Sequence, residues 1–110
     1  MFTFIEHPTF TKQVEALFSD DEYRRFQIDL AAMPEAGTVI PGLAGLRKFR
    51  WGAKGKGKRG GARIVYLLIP DPGIVYLFYA YTKGDIEDMS SEQKKRLAKA
   101  VAAIKAEYRK

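Results

Sequence analysis

Residues 62 to 82 read ARIVYLLIPDPGIVYLFYAYT, and they carry the strongest secondary-structure signal in the chain. Residues 62 to 69 and 74 to 82 are apolar runs rich in β-branched and aromatic residues, which is typical of strands. Residues 71 to 73 (DPG) separate the two runs with the residue types that a turn needs. Because both strands are too apolar to leave a face fully in water, we expect helices over at least part of both faces.

A third strand is predicted just upstream, over residues 46 to 51 (LRKFRW), before a glycine-rich loop. Three strands in sequence with short links favour an antiparallel meander. Alternate residues of a strand point to opposite faces, so Lys48 and Arg50 share one face. Phe49 and Trp51 then lie on the other face, where they can anchor the strand in the core.

The N-terminal third of the chain predicts one short strand and two helices. Residues 2 to 5 form the strand, and Pro8 marks the start of the first helix. The second helix begins with a capping box, in which the Ser19 hydroxyl and the Glu22 carboxylate each accept from the other residue's backbone N–H. This helix ends before Pro34.

A last helix is predicted to start at Ser90, with Gln93 three residues later as in a capping box. The predicted elements together form one domain over residues 1–110. The predicted class is α+β: a small antiparallel sheet, made of the N-terminal strand and the three-stranded meander, packed with two N-terminal helices and a C-terminal helix. The apolar stripes predicted for the core are Phe10, Val14 and Leu17 in the first helix, Tyr23, Phe26, Leu30 and Met33 in the second, and Leu97, Val101, Ile104 and Tyr108 in the last.

Positive charge is concentrated in residues 47 to 63, which hold eight basic side chains and no acidic one. The chain has a net charge of +6, whereas the other 11 basic and 13 acidic residues alone would give −2. RNA or DNA is the first candidate partner, because each phosphate neutralised by Lys or Arg releases condensed counterions. A solvated charged loop is the alternative, and it is disfavoured because the cluster begins inside a strand. The eight residues are Arg47, Lys48, Arg50, Lys54, Lys56, Lys58, Arg59 and Arg63.

The composition excludes several kinds of chemistry. The chain has no cysteine, which excludes disulfides, iron–sulfur clusters and thiolate catalysis. His7 is the one histidine, so a histidine-based metal site and a two-histidine ribonuclease mechanism are excluded as well. We expect no cofactor and no metal. No apolar run approaches the length of a membrane span and the N-terminus lacks a secretion signal, so we expect a cytoplasmic protein without a membrane partner.

The order of elements, with basic residues on the first meander strand, resembles the RelE/ParE superfamily of bacterial toxins, and most closely its HigB-type branch. The likeness spans essentially the whole chain, and the glycine-lysine loop leading into the second meander strand is its most specific part. The segments that carry it are LAGLRKFR at 43–50, GKGKRGGARIVY at 55–66, YAYTKG at 79–84 and DEY at 21–23.

This resemblance implies a RelE-like fold and the toxin of a type II toxin–antitoxin system. Such a toxin is an endoribonuclease that cuts mRNA on the ribosome and thereby inhibits translation. Its implied partners are the ribosome, mRNA and a cognate antitoxin, here expected to be a helix-turn-helix protein encoded next to it. The positions that match the family's catalytic basic residues are Lys48, Arg50, Arg63 and Lys83.

The chain departs from RelE itself after its last strand, where Gly84 replaces a second basic residue and residues 88–91 lack a tyrosine. The general base is therefore not identified by the resemblance. Lysine can act as a base only if its pKa falls, which neighbouring cations favour. Arginine suits the phosphorane, because its planar fork matches two phosphate oxygens. The further residues expected to bind RNA or the ribosome are Arg47, Lys54, Lys56, Lys58, Arg59, Tyr66 and Tyr81.

Two other functions stay open at this level. A ParE-like inhibitor of DNA gyrase would share the fold, but it needs no basic catalytic face. A non-catalytic RNA-binding domain would need only phosphate-binding lysines and arginines, and the sequence separates it poorly from a nuclease.

Overall fold

The computed structural model describes residues 2–52, 61–82 and 90–108. Within these ranges the chain forms five strands and three helices, which confirms the predicted α+β class. The predicted bounds of the two apolar strands are the observed ones. The elements in chain order are β1 (Thr3–Glu6), α1 (Pro8–Leu17), α2 (Asp20–Ala32), β2 (Thr38–Val39), β3 (Arg47–Trp51), β4 (Ala62–Ile69), β5 (Ile74–Thr82) and α3 (Ser91–Glu107).

The strands form one sheet in the order β1-β5-β4-β3-β2. The predicted antiparallel meander of β3, β4 and β5 is confirmed. The prediction of a wholly antiparallel sheet is wrong, because β1 pairs parallel to β5. A short turn makes neighbouring strands antiparallel, whereas β1 and β5 are separated by most of the chain and no turn sequence specifies their direction.

A fifth strand, β2, was not predicted from the sequence. It has two residues, and they pair antiparallel with Lys48 and Arg47 of β3. Two residues are too few to show the alternation that identifies a strand.

Helices cover both faces of the sheet, as predicted. Helices α1 and α2 pack on what we call the α1–α2 face, and helix α3 packs on the opposite α3 face through Leu97 and Val101. On the sheet, Ile64 and Leu77 belong to the α1–α2 face. The other buried members of the α1–α2 cluster are Phe10, Val14, Phe26, Leu30, Trp51, Ala62, Tyr66, Val75 and Ala80, and those of the α3 cluster are Leu43, Leu46, Val65, Leu67, Ile69, Ile74 and Phe78.

Both predicted capping boxes are present. The Ser19 N–H donates to Glu22 Oε1 at 2.8 Å and the Glu22 N–H donates to Ser19 Oγ at 3.1 Å, and Ser90 and Gln93 form the same pair of bonds. Met33 is not part of the core, since it is 65% exposed. Helix α2 ends at Ala32, and Met33 leaves helical geometry as its C-cap, which turns its side chain out of the apolar stripe.

Tyr108 of the predicted α3 stripe is also exposed, because it is the C-cap residue of α3 and not part of its helical turns. The two residues at the centre of that stripe, Leu97 and Val101, are buried as expected. Stripe residues at helix ends are the ones that the periodicity misplaces, since a capping residue no longer follows the helical repeat.

The half-buried carboxylate of Glu6 connects β1 to both N-terminal helices. Glu6 accepts from the Thr11 hydroxyl at 2.6 Å and from the Tyr23 hydroxyl at 2.5 Å. Burial and the hydrogen bond to Glu6 raise the pKa of Tyr23 far above its usual value, so this phenol remains a neutral donor. The three residues hold β1, α1 and α2 together at one end of the sheet.

Candidate nucleic-acid interface

The strand register brings two arginines and a tyrosine into one row across the α3 face. Arg50 of β3 lies opposite Arg63 of β4, and Arg63 lies opposite Tyr81 of β5. Neighbouring strands are about 4.8 Å apart, so the row spans roughly 10 Å across three strands. Lys48 lies one step along on the same face, opposite Val65. The expectation that Lys48 and Arg50 share a face is confirmed, and the register places Arg63 on that face as well.

A β-bulge in β5 decides that the tyrosines lie on this face. On the N-terminal side of the bulge in β5, Leu77 is opposite Tyr66, and on its C-terminal side Tyr79 is opposite Val65. Phe78 is therefore the extra residue. The insertion of one residue exchanges the two faces for the rest of the strand. Tyr79 and Tyr81 consequently pack with the α3 cluster, beside Arg63.

Tyr79 is the neighbour of this row that the sequence did not assign. It is half-buried on the α3 face and pairs with Val65, which in turn pairs with Lys48. The aromatic run of β5 was the available signal, but it could not say which tyrosines would share a face with the arginines, because no residue in the sequence identifies the bulge.

Arg63 is the most constrained cation of the row. It lies on the central strand β4, and its Nη1 is buried with no hydrogen-bond partner in the described part of the chain. A buried donor without an acceptor costs roughly 1–3 kcal/mol of stability. Such a group usually has a water, an ion or a ligand as its acceptor, and a phosphate oxygen is a suitable ligand atom.

The other side of β3 is anchored by aromatic packing, as the sequence predicted. Phe49 and Trp51 join the α1–α2 cluster, where their ring centroids lie 6.1 and 5.9 Å from that of Phe26. The Trp51 indole N–H donates to Asp29 Oδ2 of α2 at 2.8 Å. This packing leaves Lys48 and Arg50 exposed on the opposite face.

Arg47 does not lie with the other basic residues of β3. It pairs with Tyr66 on the α1–α2 face, and its Nη1 donates to the carbonyls of Glu35 at 3.1 Å and Gly37 at 2.7 Å. These two bonds hold the turn between α2 and β2. Arg47 was expected to bind RNA, and the structure instead assigns its guanidinium to this turn.

The assignment of Tyr66 to the RNA-binding residues is wrong. Tyr66 is completely buried on the α1–α2 face, so no base can stack on its ring. Its hydroxyl donates to the Pro34 carbonyl at 2.8 Å and accepts from the Gly37 N–H at 3.0 Å. Burial raises the pKa of this phenol. Tyr66 therefore fastens the same turn as Arg47, and its apolar ring outweighs its polar hydroxyl in deciding where it packs.

Tyr66→Phe should destabilise the protein by roughly 1–3 kcal/mol, because Pro34 and Gly37 would each lose a buried partner while the packing of the ring is kept. Urea unfolding measures this loss. Tyr108→Phe is the matched control, since the Tyr108 side chain is exposed at the end of α3 and should tolerate the change within about 0.5 kcal/mol. Equal stability of the two variants would show that the Tyr66 hydroxyl does not hold the turn.

Five of the predicted basic residues lie outside the described residues: Lys54, Lys56, Lys58, Arg59 and Lys83. His7 directly follows β1, and its ring stacks on that of Phe78 with the ring centroids 6.2 Å apart. Its Nδ1 accepts from the Thr9 N–H at 3.2 Å, so this ring serves as the N-cap of α1.

No protein-family model matches the chain. Among the described residues, no helix has the length and apolar character needed to cross a membrane. The described residues also lack a group of three or more His, Asp or Glu side chains placed to hold a metal ion.

Proposed function

We propose that the chain is a ribosome-dependent mRNA endonuclease, the toxin of a type II toxin–antitoxin system, with a RelE-like fold. The observation that carries the proposal is the row of Arg50, Arg63 and Tyr81 beside Lys48, with a buried Arg63 donor that lacks an acceptor in the described residues. The resemblance of the sequence to HigB-type toxins supports the same reading. Since bacterial ribosomes are in the cytoplasm, the proposal includes a cytoplasmic location for the protein.

In the proposed reaction the 2′-oxygen of one nucleotide attacks the adjacent phosphorus, and the bond from phosphorus to the 5′-oxygen of the next nucleotide breaks. The 2′-hydroxyl loses its proton to a base, and the leaving 5′-oxygen gains one from an acid. Negative charge builds on the non-bridging oxygens, where two arginine forks on neighbouring strands can hold it. Arg63 and Arg50 fill this role in the proposal.

Lys48 and Tyr81 are the candidates for proton transfer, because they flank the arginines on the same face. The chain's one imidazole, in contrast, caps α1 through Nδ1. The pH–rate profiles of Lys48→Ala and Tyr81→Phe separate the two candidates, since only the variant that lacks the base should lose the corresponding limb of the profile. The ribosome contributes by ordering the substrate, which lowers the demand on the protein's own groups.

The arginine row favours this function over gyrase inhibition. A gyrase inhibitor requires surface complementarity to a protein and no row of arginines across its sheet. A non-catalytic RNA-binding domain would use the same arginines for binding, and only a cleavage assay distinguishes it. The proposal also includes a cognate antitoxin, and a small helix-turn-helix protein encoded in the adjacent reading frame is the partner we expect.

Production of the chain alone in bacteria should arrest protein synthesis within one generation and produce mRNA cut at discrete positions. Incorporation of labelled amino acids and primer extension on cellular mRNA measure the two effects. The control is the Arg63→Ala variant, which should allow synthesis to continue. Continued synthesis with DNA breaks in the wild type would identify gyrase as the target instead, and binding of ribosomes without cuts would identify a non-catalytic RNA-binding domain.

A further inference from the structure

The two helical layers of the protein carry opposite net charge. Helices α1 and α2 together have three basic and five acidic side chains, a net charge of −2. Helix α3 has five basic and two acidic side chains, a net charge of +3. Because Lys48, Arg50 and Arg63 lie on the α3 face of the sheet, the cations of α3 and those of the sheet are on the same side of the molecule.

Three cations in the first half of α3 lie on the side of the helix that faces away from the core. Leu97 and Val101 face the sheet, whereas Lys95 and Lys99 are exposed on the opposite side of the helix. These two lysines are four residues apart, so they lie in one stripe about 6 Å apart along the helix axis. Arg96 flanks the stripe and is exposed as well, whereas Lys94 is exposed in the first turn on the line of Leu97 and Val101.

Within the part of the chain that the structure describes, no ion pair neutralises this stripe. Glu92 is the acidic residue in the first turn of α3, and no ion pair joins it to the lysines in the described structure. By contrast, Arg25 on α2 is paired with Asp21 at 3.0 Å. The described residues therefore contain a local ion pair on the α1–α2 side and none that involves the cations of the α3 stripe.

We infer that the stripe of α3, defined by Lys95, Arg96 and Lys99, is a second phosphate-binding surface that holds ribosomal RNA while the sheet row binds mRNA. This rests on the proposed function. Because the two helical layers differ in charge, the electrostatic field orients the protein with its α3 side toward a polyanion before contact. Contacts between the stripe and phosphates then add affinity but do not recognise the base sequence. The occupant is RNA and not an anionic membrane, because the apolar side of α3 is buried against the sheet and leaves no face to insert into lipid.

The test is ribosome binding by the full-length Lys95→Ala/Lys99→Ala variant as a function of salt. Each lost phosphate contact lowers the log–log slope by about 0.7–0.9, so the double variant should have a slope smaller by about 1.4–1.8. Raising salt from 50 to 200 mM should then weaken wild-type binding roughly tenfold more than it weakens binding of the variant. Cleavage positions, and the single-turnover rate at saturating protein, should not change.

The matched control is Lys12→Ala/Arg24→Ala, which removes the same charge from exposed positions of α1 and α2. Circular dichroism should show equal folding of both variants. Equal salt slopes in both variants would overturn the inference, since they would show a net-charge effect only, and so would binding of the wild type to phosphatidylserine vesicles in preference to ribosomes. A wild-type protein that does not bind ribosomes would instead refute the proposed function.

Discussion

Arg63→Ala should slow single-turnover cleavage of mRNA on programmed ribosomes by roughly 10²–10³-fold, the usual loss when one stabiliser of transition-state charge is removed. Arg63 lies on the central strand between Arg50 and Tyr81, where its fork can meet the non-bridging oxygens of the scissile phosphate. This interaction strengthens as charge develops on those oxygens. Ribosome binding should therefore fall far less than the cleavage rate.

The stability of the Arg63→Ala variant separates a catalytic from a structural role. Arg63 Nη1 forms no hydrogen bond within the described residues, so its removal should break no bond there, and thermal unfolding should change little. Arg63→Lys should not restore the rate fully, because an ammonium cannot bridge two oxygens as a guanidinium does. Arg24→Ala, at an exposed position on α2, is the matched control and should cleave within about twofold of wild type.

The opposite pattern would require a different mechanism. If Arg63→Ala cleaves at a near-normal rate while Tyr81→Phe is inactive, the arginine is not the main stabiliser and the tyrosine is the central group. Circular dichroism and thermal unfolding of both variants check that the comparison does not depend on a folding defect.

Phe26→Ala should lower the free energy of unfolding by about 3–5 kcal/mol, the range for truncating a buried phenylalanine. The Phe26 ring is fully buried between the sheet and the second helix, with ring centroids 6.3 Å from Phe18, 6.1 Å from Tyr23 and 5.9 Å from Trp51. Its loss leaves a cavity at the place where β3 is anchored. Natural domains have about 5–15 kcal/mol of stability in total, so this change alone removes a large part of it.

Ile28→Ala is the matched control for this core prediction. Ile28 is on the same helix but is 60% exposed, so its truncation should change stability by no more than about 0.5 kcal/mol. Urea unfolding of the two variants measures the difference directly. Similar losses in both would mean that the aromatic cluster does not carry the stability of this face. A large loss of stability in Phe26→Ala, with little change in Ile28→Ala, would also connect packing to function, since the aromatic cluster anchors the strand that presents Lys48 and Arg50.

Local features of the fold followed from the sequence. The bounds of β4 and β5, both capping boxes and the shared face of Lys48 and Arg50 were all predicted, because each depends on residues within a few positions of one another. A capping box needs four residues, and strand alternation needs two. Met33 and Tyr108 were misplaced because a helical repeat does not show where the helix itself ends.

Packing between distant segments, and no local sequence signal, sets the direction of β1, the burial of Tyr66 and the position of the β5 bulge. Parallel pairing of β1 depends on packing between distant segments. The bulge is one extra residue within the apolar run of β5, and no residue type in that run marks its position. That single residue brings Tyr81 beside Arg63. The amino-acid sequence alone shows which residues carry the positive charge. It does not show which face of the sheet α3 covers, because that is set by the fit of whole apolar surfaces and not by any short stretch of chain. The face that α3 covers is what puts its charges on the same side of the molecule as those of the sheet.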